Sequence, residues 1–174
     1  GRFDDLTLRL VELDRELREL AHSLETKSVI SRPLGEILHR EVDTFSERTG
    51  VAAALEIRGD PDSLSSGQRI TVFRTIQEAL ANVARHSGAK HARLTMELID
   101  GDYRFTVEDD GLGFYAFGQR LNGAEQHTHL RHHLGVNIMR ERAQHLDGRI
   151  EISNLPQGGA RVSLVFSAQR EAAA

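Results

Sequence analysis

The chain has 174 residues, 28% of them charged and 39% hydrophobic, with a net charge of −4 and no cysteine. That is enough for one domain with a good core and a short extra element, in proportions ordinary for a soluble globular protein. It excludes a disulfide framework, a thiolate metal site and a cysteine nucleophile, offers no bulk positive field for nucleic acid, and holds no apolar run near the ~18 residues that span a membrane. No signal peptide is visible, and the absence of cysteine fits a cytoplasmic compartment. The chain starts at Gly1 without a Met and reads as helical within a few residues, like a piece of something longer.

Phe3, Leu6, Leu10, Leu13, Leu17, Leu20 and Leu24 step by three and four, with Arg and Glu filling most of the spaces between. That is a narrow a/d seam, which predicts a dimeric coiled coil or helical bundle, with packing against the chain's own domain as the alternative. His22 falls on its outer side. Thr26 to Pro33 breaks the pattern, with Ser31 able to cap a new helix and Pro33 suited to its first turn. A helix from Leu34 to about Arg48 follows, with Ile37, Leu38, Val42 and Phe45 apolar and Gly50 closing it. Val51 to Ile57 reads as a strand and Gly59 to Asp62 as a turn.

Ser63 or Ser65 starts the central helix. Ile70, Phe73, Ile76, Leu80 and Val83 give it one apolar side. Within it, QEALANVARH places Glu78, Asn82 and Arg85 or His86 on a second face, three and four residues apart. An acid, a carboxamide and a cation in a row can hold a water, a hard cation and phosphate oxygens. A solvated helix face is the plain alternative.

Ala89 to Ile99 alternates as a strand, Asp100-Gly101 marks a hairpin, and Tyr103 to Val107 returns. The return strand runs into Glu108-Asp109-Asp110-Gly111-Leu112-Gly113-Phe114. An acid at a strand end beside two glycines lets something approach the backbone closely. Asp109 is placed to accept a hydrogen bond from an exocyclic amine. Phe114 to His133 lacks periodicity and reads as a lid loop. His127, His129, His132 and His133 crowd its end without the acid or Cys that would fix a metal geometry. Gly135 then opens a helix, GVNIMRERAQHLDG, whose N-terminus is a candidate anion site. Arg149 to Ser153 and Ala160 to Phe166 form a last hairpin, and 169–174 reads as a frayed tail.

There is no P-loop and no GxGxxG. The acid–Asn helix, the DxGxG strand end, the lid and the glycine-led helix occur in the order of the boxes of the Bergerat ATP-binding fold, the superfamily of gyrases, heat-shock proteins, histidine kinases and mismatch-repair proteins. QEALANVARHSGA with HHLGVNIMRERAQHLDG resembles sensor histidine kinases of the nitrate/nitrite-sensor type, from about Leu17 to Phe166. The resemblance implies a two-layer α/β sandwich, one mixed sheet with helices on one face. It implies that 1–30 is the second helix of a dimerisation domain, with 31–168 the ATP-binding catalytic domain. It implies that Asn82 coordinates Mg²⁺ on the phosphates, Glu78 orients or activates the attacking group, and Arg85 and His86 lie near phosphate or ribose. Asp109 would bond the adenine amine, Gly111 and Gly113 would allow close approach, Gly135 and its helix would cradle phosphate, and Gly159 would edge the adenine pocket. The implied partners are ATP, a second copy through the first helix, and a response regulator with a helix-turn-helix output domain. Two departures stand out: Asp110 where Asn is frequent, and Ala160 where Thr is frequent. No His here is followed by an acidic residue, so the phosphoacceptor is expected on another chain. A serine kinase of the anti-sigma type and a non-catalytic dimerising module are the alternatives.

Overall fold

In the computed structural model, residues 23–114 and 126–168 are described. A helix at 23–31 (α1) leads into α2 (Leu34–Thr49), β1 (Ala52–Arg58), a 3₁₀ turn at Pro61–Ser63 and α3 (Ser66–Asn82). A π-helical turn, Val83–Ser87, follows; then come β2 (His91–Ile99), β3 (Asp102–Asp109), α4 (Gln126–Gln144), β4 (Arg149–Asn154) and β5 (Ala160–Ser167). The sheet is open and mixed, in the order β1-β2-β3-β5-β4, with β1 parallel to β2 and every other pair antiparallel.

Local chemistry accounts for most boundaries. Leu34, Ile37, Leu38, Val42 and Phe45 recur at helical spacing and are all buried, and Gly50 ends α2 in the left-handed region with its N–H on the Ser46 carbonyl. Ser65 and Gln68 form a reciprocal capping box at the start of α3. Asp100 and Gly101 both have positive φ (53° and 85°), which turns β2 into β3 with the twist a hairpin needs. Ser31 does not cap α2. Its hydroxyl turns back to Ser28, and the N–H of Leu34 is satisfied from a distance by Asp62 Oδ1 at 2.8 Å. Intervening Pro33 separates Ser31 from the helix start, so a through-space acceptor replaces the local one.

The helices cover one face of the sheet. Phe45, Phe105, Phe166, Met96, Met139 and Leu164 meet there, and Val29 of α1 is seated in the same core. Phe105 and Phe166 stack at 6.2 Å. Glu25 of α1 pairs with Arg74 and accepts a 2.7 Å hydrogen bond from Gln77, so α1 is tied to α3 as well as packed against the core. On the uncovered face, Arg104–Glu151 and Arg161–Glu108 pairs lie over a buried Thr106–Ser163 hydroxyl pair.

Two expectations fail at α4. The helix runs from Gln126, so Gly135 lies in its interior and does not open it. The second half of the expected lid, 126–133, is therefore helical, and residues 115–125 lie outside the described residues. A glycine inside a helix costs about 1 kcal/mol; here it permits contact with α3 that a side chain would prevent. Most of the first-helix seam and the 169–174 tail also fall outside the described residues.

Candidate functional site

β3 ends on Asp109, whose Cα pairs with Ala92 of β2. Asp109 is only 7% exposed and lines a cleft of about 380 Å³, open mouth included. Ala79, Val83, Val107, Phe114, Ala160 and Val162 supply its apolar walls; Asn82, His86 and Ser87 supply the polar ones. Burial pushes the Asp109 carboxyl above its ordinary pKa, opposed by hydrogen bonds from the Gly111 and Ala160 N–H groups and reinforced by neighbouring Asp110. The Gly111 bond measures 2.8 Å. A buried carboxylate at the end of an apolar slot is a strong acceptor for a flat ligand with an exocyclic N–H.

Asp110 does not crowd that slot. It turns the other way, accepts from the backbone N–H groups of Lys90 (2.8 Å) and His91 (2.9 Å), and contacts the His91 ring at 2.6 Å. The His91 backbone N–H and ring together bring its pKa down to about 2. The extra charge expected near the ligand is thus engaged at the start of β2.

α3 and the π turn form the opposite wall. Asn82 is 7% exposed, and its Nδ2 is buried without a hydrogen-bond partner. Asn82 is therefore not part of a solvated helix face. Glu78 lies one turn earlier, 4.0 Å from Arg85, whose side chain is largely exposed. The wider π turn carries His86 and Ser87 into the cleft lining. Burial, then the nearby Arg85 charge, lowers the His86 pKa, which favours the neutral ring. The Ser87 carbonyl accepts the Leu112 N–H at 2.9 Å, joining the π turn to the loop after β3.

Of the predicted glycines only Gly113 lines the cleft; each of them meets neighbouring protein atoms. A Cβ at Gly135 would sit 2.5 Å from Glu78 Oε1 and 3.6 Å from Asn82 Nδ2, so α4 meets the acid–Asn face through a missing side chain. At Gly111 it would lie 2.3 Å from the Ser87 carbonyl oxygen, and at Gly113 it would lie 2.8 Å from Asn154 Oδ1. At Gly159, with φ +93°, it would lie 1.8 Å from the Asp109 carbonyl oxygen. The space these glycines leave is taken by neighbouring protein atoms, and the loops are shaped by it.

Sequence reading missed Asn154, Ser87 and the α1–α3 tie, all of which depend on contacts between distant segments. It also missed Arg142 of α4. That guanidinium donates to the Arg74 carbonyl at 3.0 Å, and burial lowers its pKa against the opposing pull of the Glu78 charge. Among the described residues no group of three or more His, Cys, Asp or Glu is placed to hold a metal, and no helix is long and apolar enough to cross a membrane. The His127–His133 side chains lie outside the described residues.

Residues 67–170 match the model of the histidine kinase-, DNA gyrase B-, and HSP90-like ATPase family. The sensor histidine kinase MctS of Rhizobium johnstonii is 31% identical over 144 residues, covering 83% of this chain and 30% of that protein. The nitrate/nitrite sensor protein NarX of Escherichia coli is 29% identical over 152 residues, covering 87% of this chain and 23% of that protein. The chain thus spans less than a third of either relative. Among solved structures, the Erythrobacter litoralis EL346 blue-light activated histidine kinase superposes with a TM-score of 0.65 at 18% identity, covering 94% of this chain and 50% of that one. The catalytic domain of histidine kinase ThkA gives 0.59 at 15%, covering 79% and 94%.

Proposed function

The chain belongs to the histidine kinase-, DNA gyrase B-, and HSP90-like ATPase family, and from that premise we propose that 31–168 is the ATP-binding catalytic domain of a two-component sensor histidine kinase. The observation that carries this reading is the cleft itself: a buried carboxylate, Asp109, lines a mostly apolar slot together with Asn82 and His86 from α3 and its π turn. Asp109 accepts a hydrogen bond from the adenine amine, and the slot takes the faces of the base. Arg85, His86 and Asn82 face the phosphates. The exposure of Arg85 leaves its guanidinium able to pair with phosphate oxygens.

Asn82 fits a site that a ligand completes, because its buried Nδ2 donor lacks a partner that a phosphate oxygen would supply. Its oxygen is one neutral ligand, so phosphate oxygens would supply most of a Mg²⁺ shell. Mg²⁺ held by Asn82 would supply positive charge to offset the charge that develops on the leaving group. Glu78 orients the attacking imidazole or takes its proton. In the transfer, an imidazole nitrogen forms a bond to the γ-phosphorus, the bond to the β-phosphate oxygen breaks, and ADP leaves with that electron pair.

The acceptor histidine is supplied by another chain, since no His here has an adjacent carboxylate. A response regulator with a helix-turn-helix output domain then receives the phosphate, in the cytoplasm. Leu24, 66% exposed at the end of the heptad seam, supports dimerisation through the first helix. The test is incubation with γ-labelled ATP and Mg²⁺, with and without a second chain bearing an acceptor helix. Acid-labile, alkali-stable label should appear only on the second chain. Such label on this chain alone, lost on His22→Gln, would show a different acceptor. Acid-stable label on serine would favour the anti-sigma type of kinase, and failure to bind ATP would favour a non-catalytic dimerising module.

A further inference from the structure

We propose that Asn154 is a positioning residue of the nucleotide site, holding the Gly113–Phe114 wall of the cleft against the strand end that carries Asp109. The inference rests on the nucleotide-site reading above and adds a residue to it.

Asn154 is the last residue of β4, paired with Ala160 of β5. An exposed Asn at a strand end ordinarily bonds to its own turn. Here the turn is closed without it: Leu155 N–H donates to the Gly159 carbonyl at 3.0 Å, and Gly158 N–H to the Leu155 carbonyl at 3.1 Å. Asn154 Oδ1 instead reaches across to accept the Phe114 N–H at 2.8 Å. It can do so because Gly113, with φ +75°, presents a bare Cα; a Cβ there would lie 2.8 Å from the same oxygen.

The strap from Asp110 to Phe114 is fastened along its length. Asp110 N–H goes to the His91 carbonyl, Gly111 N–H to Asp109 Oδ1, Leu112 N–H to the Ser87 carbonyl and Phe114 N–H to Asn154. The last fastening lies where the strap becomes cleft wall, since Gly113 and Phe114 both line the slot beside Asp109 and Ala160. Without it, the Phe114 backbone loses this fastening while its ring stays packed on the core and the inner bonds persist. The bond is exposed, so its loss takes little from the fold. What it takes is the preformed shape of the slot that holds the base, whose ordering then falls to the ligand.

The experiment uses the 174-residue chain and its Asn154→Ala and Asn154→Asp variants, titrated calorimetrically with adenosine, ADP and ATP and melted without ligand. In Asn154→Ala all three ligands should weaken by one common factor, about fivefold to tenfold, because the base is the part they share. The melting temperature should move by no more than about 2 °C. Asn154→Asp keeps an oxygen acceptor for the Phe114 N–H and should restore affinity to within about twofold of the unchanged chain. Unchanged affinity in Asn154→Ala overturns the inference. So does a loss confined to ATP, or a loss with lowered melting that Asp does not restore. If the unchanged chain binds no adenine ligand, the nucleotide-site reading itself falls.

Discussion

Replacing Asp109 by Asn changes one atom and one charge in the lining of the cleft. The carboxylate now accepts from Gly111 N–H and Ala160 N–H, so its oxygens already face backbone donors. A carboxamide has one oxygen. If that oxygen satisfies the backbone, the NH₂ faces the adenine amine, donor against donor; if it faces the adenine, a buried backbone N–H loses its acceptor. Either orientation forfeits a charge-assisted hydrogen bond, on the order of 1.5–3 kcal/mol. That corresponds to a loss of ATP affinity between about tenfold and about 150-fold. The fold itself should hold, because removing a desolvated charge offsets part of the lost bonding. Calorimetric titration with ATP measures the loss, and circular dichroism checks the fold. Asp110→Asn is the control. Its side chain serves Lys90 and His91, so affinity should stay unchanged. An Asp109→Asn chain that folds and binds ATP as before would refute the reasoning.

Asn82→Ala should weaken ATP binding more with Mg²⁺ than without it, and the apo chain should show no micromolar Mg²⁺ site, because one neutral oxygen is too few ligands; titration with and without metal checks both. Gly159→Ala should abolish nucleotide binding and lower the melting temperature, since the new Cβ meets backbone at 1.8 Å at a φ of +93°. Gly135→Ala should be milder in stability yet reduce phosphotransfer, because the atom it strikes is the movable carboxylate of Glu78. The two adjacent acids should titrate with opposite sign. Asp110, held at about 2, contributes stability that is present above the ordinary aspartate range and lost as the pH falls towards about 2. Asp109, raised by burial, contributes stability at low pH that is lost as the pH rises through its elevated pKa. Unfolding curves of Asp109→Asn and Asp110→Asn against pH should therefore diverge from the parent in opposite directions, and parallel curves would contradict this.

Features carried by contiguous residues were readable in advance. Asp109 announces itself because an alternating strand ends on it and glycines follow. Glu78 and Asn82 share a face by spacing alone. The β2–β3 hairpin follows from Asp100-Gly101. What spacing could not reveal is set by contacts across the chain. Gly135 looks like a helix start because glycine usually punctuates, whereas here it makes room for Glu78 within a helix. The π turn adds a residue to the helical register, so which of Arg85 and His86 lines the cleft could not be resolved from a 3.6-residue period; it is His86. Asn154 lies 40 residues from the N–H it serves. Asp110 turns from the slot because the N–H groups of Lys90 and His91, at the start of β2, donate to its carboxylate.

The seating of α1 bears on how the domain is held by whatever lies ahead of it. Arg32-Pro33 alone would be a swivel. Val29 in the core and Glu25 on Arg74 and Gln77 make the last turns of α1 part of the same body as α3. Arg74 is one helical turn from Glu78 and two from Asn82. Torque applied along α1 therefore arrives at the helix bearing the acid–Asn face directly, through two side chains and no intervening loop. The Glu25 attachment is also weak, since a partly exposed ion pair is worth about 1 kcal/mol or less.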